Sequence, residues 1–279
     1  MEVVQSKPLL PPKSHPNYRL WANYADFALE RGQLVCDILE SFAPVQGLKI
    51  LDIGCGEGGT SLALSQRGAE ITAIDFNPVR VEKLANDLKD SGTKFSVQRG
   101  DAQVLTFDNG QFDCVILQDV LEHLHQPAQA LREASRVLKK GGLLYLSTPN
   151  RWSPLNFFSD PHWNLPLVST LPRKGVEYFI TKIARREKNV RADFAALLSF
   201  PQLTRLLKAA RFTFQMVNKT VAAQLFRNSK AVVNKDTHLK IARALRKLHL
   251  EKLIVWLVKD ELGFFNTFLN PTWYLVAEK

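Results

Sequence analysis

The chain has 279 residues, 46% hydrophobic and 23% charged, with a formal net charge of +10. That composition supports a sizeable core and excludes the disordered and fibrous classes. Three scattered cysteines, Cys36, Cys55 and Cys114, exclude a disulfide framework or a thiolate metal site, which makes a reducing, cytoplasmic setting the expectation.

Residues 1–16 contain Pro8, Pro11, Pro12 and Pro16 among scattered charges, without the apolar centre of a signal peptide, and read as a flexible arm. From residue 17 to 150, short apolar runs alternate with amphipathic stretches, the pattern of crossover units that build a parallel sheet. Strands are expected at Lys49 to Ile53, Glu70 to Asp75, Lys94 to Arg99, Phe112 to Gln118 and Gly142 to Thr148. Between them Val81, Leu84, Ala85 and Leu88 recur at helical spacing, as do Leu131, Ala134 and Leu138.

After Asn150 the alternation lapses. Four prolines, with Trp152, Phe157, Phe158 and Trp163, make residues 151–200 an irregular aromatic stretch, read as a lid insertion. Residues 201–279 complete the sheet: a helix over Phe200 to Ala210, a strand over Phe212 to Thr220 and a last strand over Thr272 to Glu278. A helical insertion at about 236–262 places Ile241, Leu245 and Leu248 on one face and Lys240, Arg243, Arg246 and Lys247 on another. Its longest apolar run, Leu253 to Val258, falls far short of the roughly 20 residues that span a bilayer.

Residues 1–150 carry 15 Lys and Arg against 18 Asp and Glu, whereas residues 151–279 carry 22 against 9. Binding to an anionic partner therefore belongs to the second half, with a solvated basic surface as the alternative. The basic helix either lies on an anionic membrane or packs on the domain with its charges in water.

Leu51-Asp52-Ile53-Gly54-Cys55-Gly56-Glu57-Gly58-Gly59 puts a glycine cluster directly after the first strand and before a helix. Glycine there lets the backbone turn sharply and a ligand approach the main chain. Gly54, Gly56 and Gly59 also satisfy G-x-G-x-x-G, with Asp75 downstream, so the loop alone fits either a dinucleotide or another adenosyl cofactor.

Its neighbours separate the two. Asp52 before Gly54, Gly100-Asp101-Ala102, and Phe112 to Leu124 followed by Leu138 to Leu144 resemble the class I S-adenosylmethionine-dependent methyltransferases over about Gly47 to Pro149. The resemblance implies an α/β fold, a doubly wound, seven-stranded, mostly parallel Rossmann-like sheet with S-adenosylmethionine as cofactor and S-adenosylhomocysteine as product. It implies that Asp52, Gly54, Cys55 and Gly56 hold the cofactor's loop and that Asp101 and Ala102 meet the adenine. A carboxylate offers two oxygens to a vicinal diol, so Asp75 is expected at the ribose hydroxyls. Phe76 is expected against the adenine face or in plain core, and Gln118 at the carboxyl end of the fourth strand, where open sheets hold ligands.

Within that class, Asp119, Glu122 and His123 resemble the acid-x-x-Glu-His stretch of the quinone-precursor O-methyltransferases, and Leu146 to Arg151 and Phe200 to Leu207 continue the likeness. The insertion before Thr272 departs from it. The resemblance implies a small-molecule acceptor, methylated at oxygen. It also implies an arginine for the cofactor carboxylate, matched by Arg31, unless that side chain is a charge on an exposed helix face.

On a helical turn Asp119, Glu122 and His123 share a face and are a candidate divalent cation set; otherwise Glu122 and His123 shape the pocket rim. His123 is the first candidate base and His162, in the aromatic stretch, the second. A nucleic-acid or protein substrate docked on the basic half, and a non-catalytic nucleotide-binding protein, are the competing readings; no Asn/Asp-Pro-Pro-aromatic tetrapeptide of base-methylating enzymes follows the fourth strand, so no nucleic acid is expected.

Overall fold

A computed structural model describes residues 18–88, 95–184, 194–233, 236–258, 260 and 263–279; the expected arm, 1–16, lies outside the described residues. Seven strands form one sheet: β1 Lys49–Ile53, β2 Glu70–Asp75, β3 Phe95–Arg99, β4 Phe112–Gln118, β5 Leu138–Pro149, β6 Thr213–Met216 and β7 Thr272–Glu278. Their order is β3-β2-β1-β4-β5-β7-β6, parallel throughout except for β7, which runs antiparallel to both neighbours.

Successive side chains of a strand point to opposite faces, and both faces are buried here. Leu51, Ile53, Val115 and Leu117 enter one apolar cluster, while Ile50, Cys114 and Ile116 enter the other. The first cluster is closed by α4 (Pro127–Val137) and α7 (Phe200–Ala209), the second by α1 (Tyr18–Glu40) and α2 (Gly59–Gln66). α3 (Pro78–Leu88) connects β2 to β3. This two-sided burial is why the inner strands β1, β4 and β5 read as nearly continuous apolar runs.

β1 has β2 on one side and β4 on the other, so the strand order reverses between β1 and β4. In open α/β sheets that switch point is where ligands bind. α1 crosses the start of α2 above it through a reciprocal glycine contact. A Cβ on Gly32 would lie 2.7 Å from the Gly59 carbonyl oxygen, and one on Gly59 would lie 2.4 Å from the Ala28 carbonyl carbon. Only glycine admits that approach, which carries Phe27 and Arg31 to the switch point.

The observed elements depart from expectation in two places. The strand expected to reach Thr220 stops at Met216, and Asn218–Arg227 forms α8. Val217 and Thr220 carry strand propensity, but Val217 and Val221, four apart, both bury in the second cluster. Leu138, grouped with α4 by spacing, begins β5 instead, with a register shift between Phe112 and Cys114.

Residues 151–184 hold α5 (Pro154–Phe158), α6 (Arg173–Tyr178) and a π-helical turn Phe179–Ile183, around a small cluster of Trp163, Val168, Val176 and Ile180. The basic segment forms two helices, α9 (Asp236–Lys247) and α10 (Glu251–Leu257), broken at His249, whose φ is +54°. A second π-helical turn, Phe265–Leu269, precedes β7.

Candidate functional site

β1 delivers Asp52 and then turns sharply. Gly54 has φ +74°, and a Cβ there would lie 2.6 Å from a Val120 side-chain carbon, so both conformation and space demand glycine. Gly56 has φ +56°, with open space where its Cβ would be. Asp75, at the end of β2, holds this loop: its Oδ2 accepts from the Gly56 N–H at 3.0 Å and its Oδ1 from the Asn77 N–H at 2.8 Å.

Asp52, Gly54, Cys55, Gly56, Gln118 and Arg31 line one cleft with Phe27, Thr60 and Glu57, of about 420 Å³ counting space open to solvent. Gln118 Oε1 accepts from Thr60 Oγ at 2.6 Å, while the buried Gln118 Nε2 has no hydrogen-bond partner. A buried donor without a partner marks a position that a ligand acceptor satisfies. Burial pushes the Asp52 carboxyl up to about 6 against the opposing Ser61 hydroxyl, which donates to it at 2.5 Å, and the Asp75 charge adds to the rise. Burial also pushes the Cys55 thiol well above its usual range, which makes it an unreactive wall.

Phe76 is 65% exposed, with the Arg99 guanidinium 5.5 Å from its ring centre; it is not plain core, and it is not among the residues that line that cleft. Asp101 follows β3 and accepts from the Gln103 N–H at 2.8 Å, and Ala102 is buried.

Arg31 is 8% exposed, which rules out the exposed helix face. Its guanidinium pairs with Asp119 at 2.5 Å and donates to Ser147 Oγ at 3.3 Å; Ser147 in turn donates to Asp119 at 2.7 Å. Burial opposes ionisation of Asp119, but Arg31 and the Ser147 hydroxyl overcome it and hold the carboxyl below its usual range.

The expected shared face of Asp119, Glu122 and His123 does not form. Asp119 has φ +55° and lies before a short 3₁₀ turn, Leu121–His123, so the α-helical spacing on which that set depended is absent. Glu122, His123 and His162 come together instead, with one ligand atom of each within 4.8 Å of the others. The His123 and His162 rings meet edge to face at 4.9 Å. The fully buried Glu122 accepts from Thr148 Oγ at 3.0 Å through Oε2. Its Oε1 has no hydrogen-bond partner and faces His162 Nε2 at 3.9 Å and His123 Nε2 at 4.0 Å. Burial raises this carboxyl to about 7, with His123 opposing the rise and Asp119 adding to it.

One carboxylate and two imidazoles suit a divalent cation of borderline softness better than Mg²⁺, which favours oxygen ligands. The orphaned Glu122 oxygen fits such an ion; it fits a shared proton equally. Arg173 ties the group to α6, donating to the Glu122 carbonyl oxygen at 3.0 Å and to that of Leu124 at 2.7 Å.

Sequence spacing did not reveal Thr60, Ser147 or Thr148. For Ser147 and Thr148 the signal was polarity inside the otherwise apolar β5, where a buried hydroxyl needs a partner; Thr60, in the first turn of α2, carried none.

Residues 51–146 match the family model described as a methyltransferase domain. A Pseudomonas aeruginosa protein named ubiquinone biosynthesis O-methyltransferase is 39% identical over 116 residues, 40% of this chain and 49% of that one. A Caulobacter vibrioides protein of the same name is 36% identical over 110 residues, 39% of this chain and 44% of that one. The chain thus matches about half the length of these relatives. Among solved structures, an S-adenosylmethionine-dependent methyltransferase from Mesorhizobium loti has a TM-score of 0.56 at 16% identity, over 88% of this chain and 98% of that one. A geranyl diphosphate methyltransferase in complex with S-adenosylmethionine has a TM-score of 0.54 at 14% identity, over 95% and 91%. At such identities the likeness establishes the shared fold.

Proposed function

We propose that this chain, which carries a methyltransferase domain match over residues 51–146 on the fold of S-adenosylmethionine-dependent enzymes, transfers a methyl group to oxygen of a small-molecule acceptor. The observation that carries the reading is the cleft at the β1/β4 switch point, lined by Asp52, Gly54, Gly56 and Gln118. S-adenosylmethionine, when bound, supplies a methyl already activated on its sulfonium.

The protein's part is then to bind, align and exclude water. Asp52 places negative charge beside the cofactor's cationic end, Asp75 accepts from the ribose, and Phe76, Asp101 and Ala102 receive the adenine. Gln118 offers its open N–H₂ to the cofactor, and Arg31 its guanidinium to the carboxylate, in competition with Asp119. The described residues of the aromatic insertion, 151–184 and 194–200, cover the acceptor, and the oxygen's proton passes to His123 or His162, with Glu122 stabilising the imidazolium. A divalent cation held by Glu122, His123 and His162 would instead lower the acceptor's own pKa. Contact of the basic segment with an anionic membrane belongs to the same reading.

Calorimetry with S-adenosylhomocysteine and with NAD is expected to show binding of the first and none of the second; the reverse overturns the reading. Radiolabelled methyl transfer into a lysate is expected in its small-molecule or lipid fraction, and label in macromolecules would favour the competing substrate class. Once an acceptor is known, transfer is expected to persist in a chelator and to fall in His123→Ala. Loss in the chelator alone would reassign the cluster to a metal.

A further inference from the structure

We propose that α9 and α10 dock this protein on an anionic lipid bilayer through two outward apolar stripes flanked by a basic one. This deepens the membrane part of the proposed function. The docking stands on the surface alone; only its consequence, that the acceptor is an apolar molecule taken from the bilayer, rests on the methyltransferase reading.

Among the described side chains of α9, Ala242 is buried, at 3% exposed, Leu239 and Leu245 are half-buried, and Arg246 donates to the Phe226 carbonyl oxygen. Ile241, Ala244, Leu245 and Leu248 follow the i, i+3, i+4, i+7 pattern of a single face. Leu248 still donates to the Ala244 carbonyl oxygen, so the helical turn continues to it. That face is not the one packed: Ile241 is 52% and Leu248 66% exposed. Lys240, Arg243 and Lys247 lie exposed on the adjoining face. α10 repeats the arrangement, with Leu253, Trp256 and Leu257 at i, i+3, i+4 all exposed, Trp256 at 66%, and Lys252 beside them.

Single exposed leucines are ordinary on a folded surface. Two helices that each turn an aligned apolar stripe away from the domain are not. Trp at the stripe and Lys or Arg along its border is the composition of helices that lie in a lipid interface. Residues 240–252 carry five Lys and Arg against one Glu, which selects the occupant. An anionic surface attracts that charge, whereas a second copy of this chain would bring two such segments together against repulsion. No described helix is long and apolar enough to cross a membrane, so the contact is peripheral.

The test is co-sedimentation of the full chain with phosphatidylcholine vesicles, with and without phosphatidylglycerol. Binding is expected to be at least about tenfold tighter with the anionic lipid and to weaken as salt is raised. Lys240→Glu/Arg243→Glu/Lys247→Glu is expected to lose the anionic preference, and Leu253→Ser/Trp256→Ser to weaken binding at low salt, both retaining the wild-type circular dichroism spectrum. Equal binding to both lipids, no binding to either, or wild-type binding by both folded variants overturns the proposal. So does a dimer in solution that both variants dissociate. Vesicle binding without S-adenosylhomocysteine binding would instead overturn the methyltransferase reading and leave the docking in place.

Discussion

Asp75→Ala is expected to weaken S-adenosylhomocysteine binding by about 1.5–3 kcal/mol, roughly ten- to hundredfold, read by calorimetry. The carboxylate ends β2 at 6% exposure, and each of its oxygens accepts one backbone N–H, from Gly56 and from Asn77. A carboxylate oxygen has a second lone pair, so both oxygens can accept from a ribose diol without releasing the loop. Alanine removes both functions at once: the ribose loses its acceptor and the Gly56 amide its tether. Asp75→Asn keeps one acceptor oxygen and is expected to fall between the two. Unchanged affinity in the alanine variant would remove Asp75 from the site.

Asp52→Asn is expected to stabilise the fold and weaken the cofactor. Its carboxyl is raised from 3.8 to about 6 by burial. Between those values the folded chain keeps a proton that the unfolded chain has lost, so stability falls as pH rises through that window and stays lowered above it. At one unit per 1.36 kcal/mol the cost above about pH 6 is on the order of 2–3 kcal/mol. Asparagine accepts from Ser61 without ionising. Denaturant unfolding should therefore show a gain of that order at pH 8 and almost none below pH 4, together with weaker S-adenosylhomocysteine binding. No gain at pH 8 would mean that the carboxylate is compensated in the free protein.

An uncompensated buried acid beside a cleft reduces stability, and the ligand that repays it has positive charge. The sulfonium and ammonium of S-adenosylmethionine are such charges.

Most of the frame was legible from local pattern. β1, β2, β4 and β5 were visible because burial on both faces makes them short apolar runs, the edge strand β3 by the alternation of Phe95 and Val97 with polar residues, and the loop because positive φ at Gly54 and Gly56 selects glycine. The start of α8 was read as strand because Val217 and Thr220 carry strand propensity, while the cluster beneath the sheet buries 217 and 221 from one helical face. The 3₁₀ turn at Leu121–His123 was misread because a left-handed Asp119 is set by its ion pair with Arg31, not by its neighbours in the chain.

By itself, then, the sequence determined the order of the sheet-forming segments and the place of a nucleotide-type loop between Ile53 and Gly59, since each depends on a few adjacent residues. Tertiary structure alone decided that Arg31 meets Asp119 and Ser147, and that His162 joins Glu122 and His123. Arg31 and Ser147 lie 116 residues apart, and only the Gly32–Gly59 crossing brings α1 over the strand ends. No spacing along the chain encodes a contact that depends on how two helices approach.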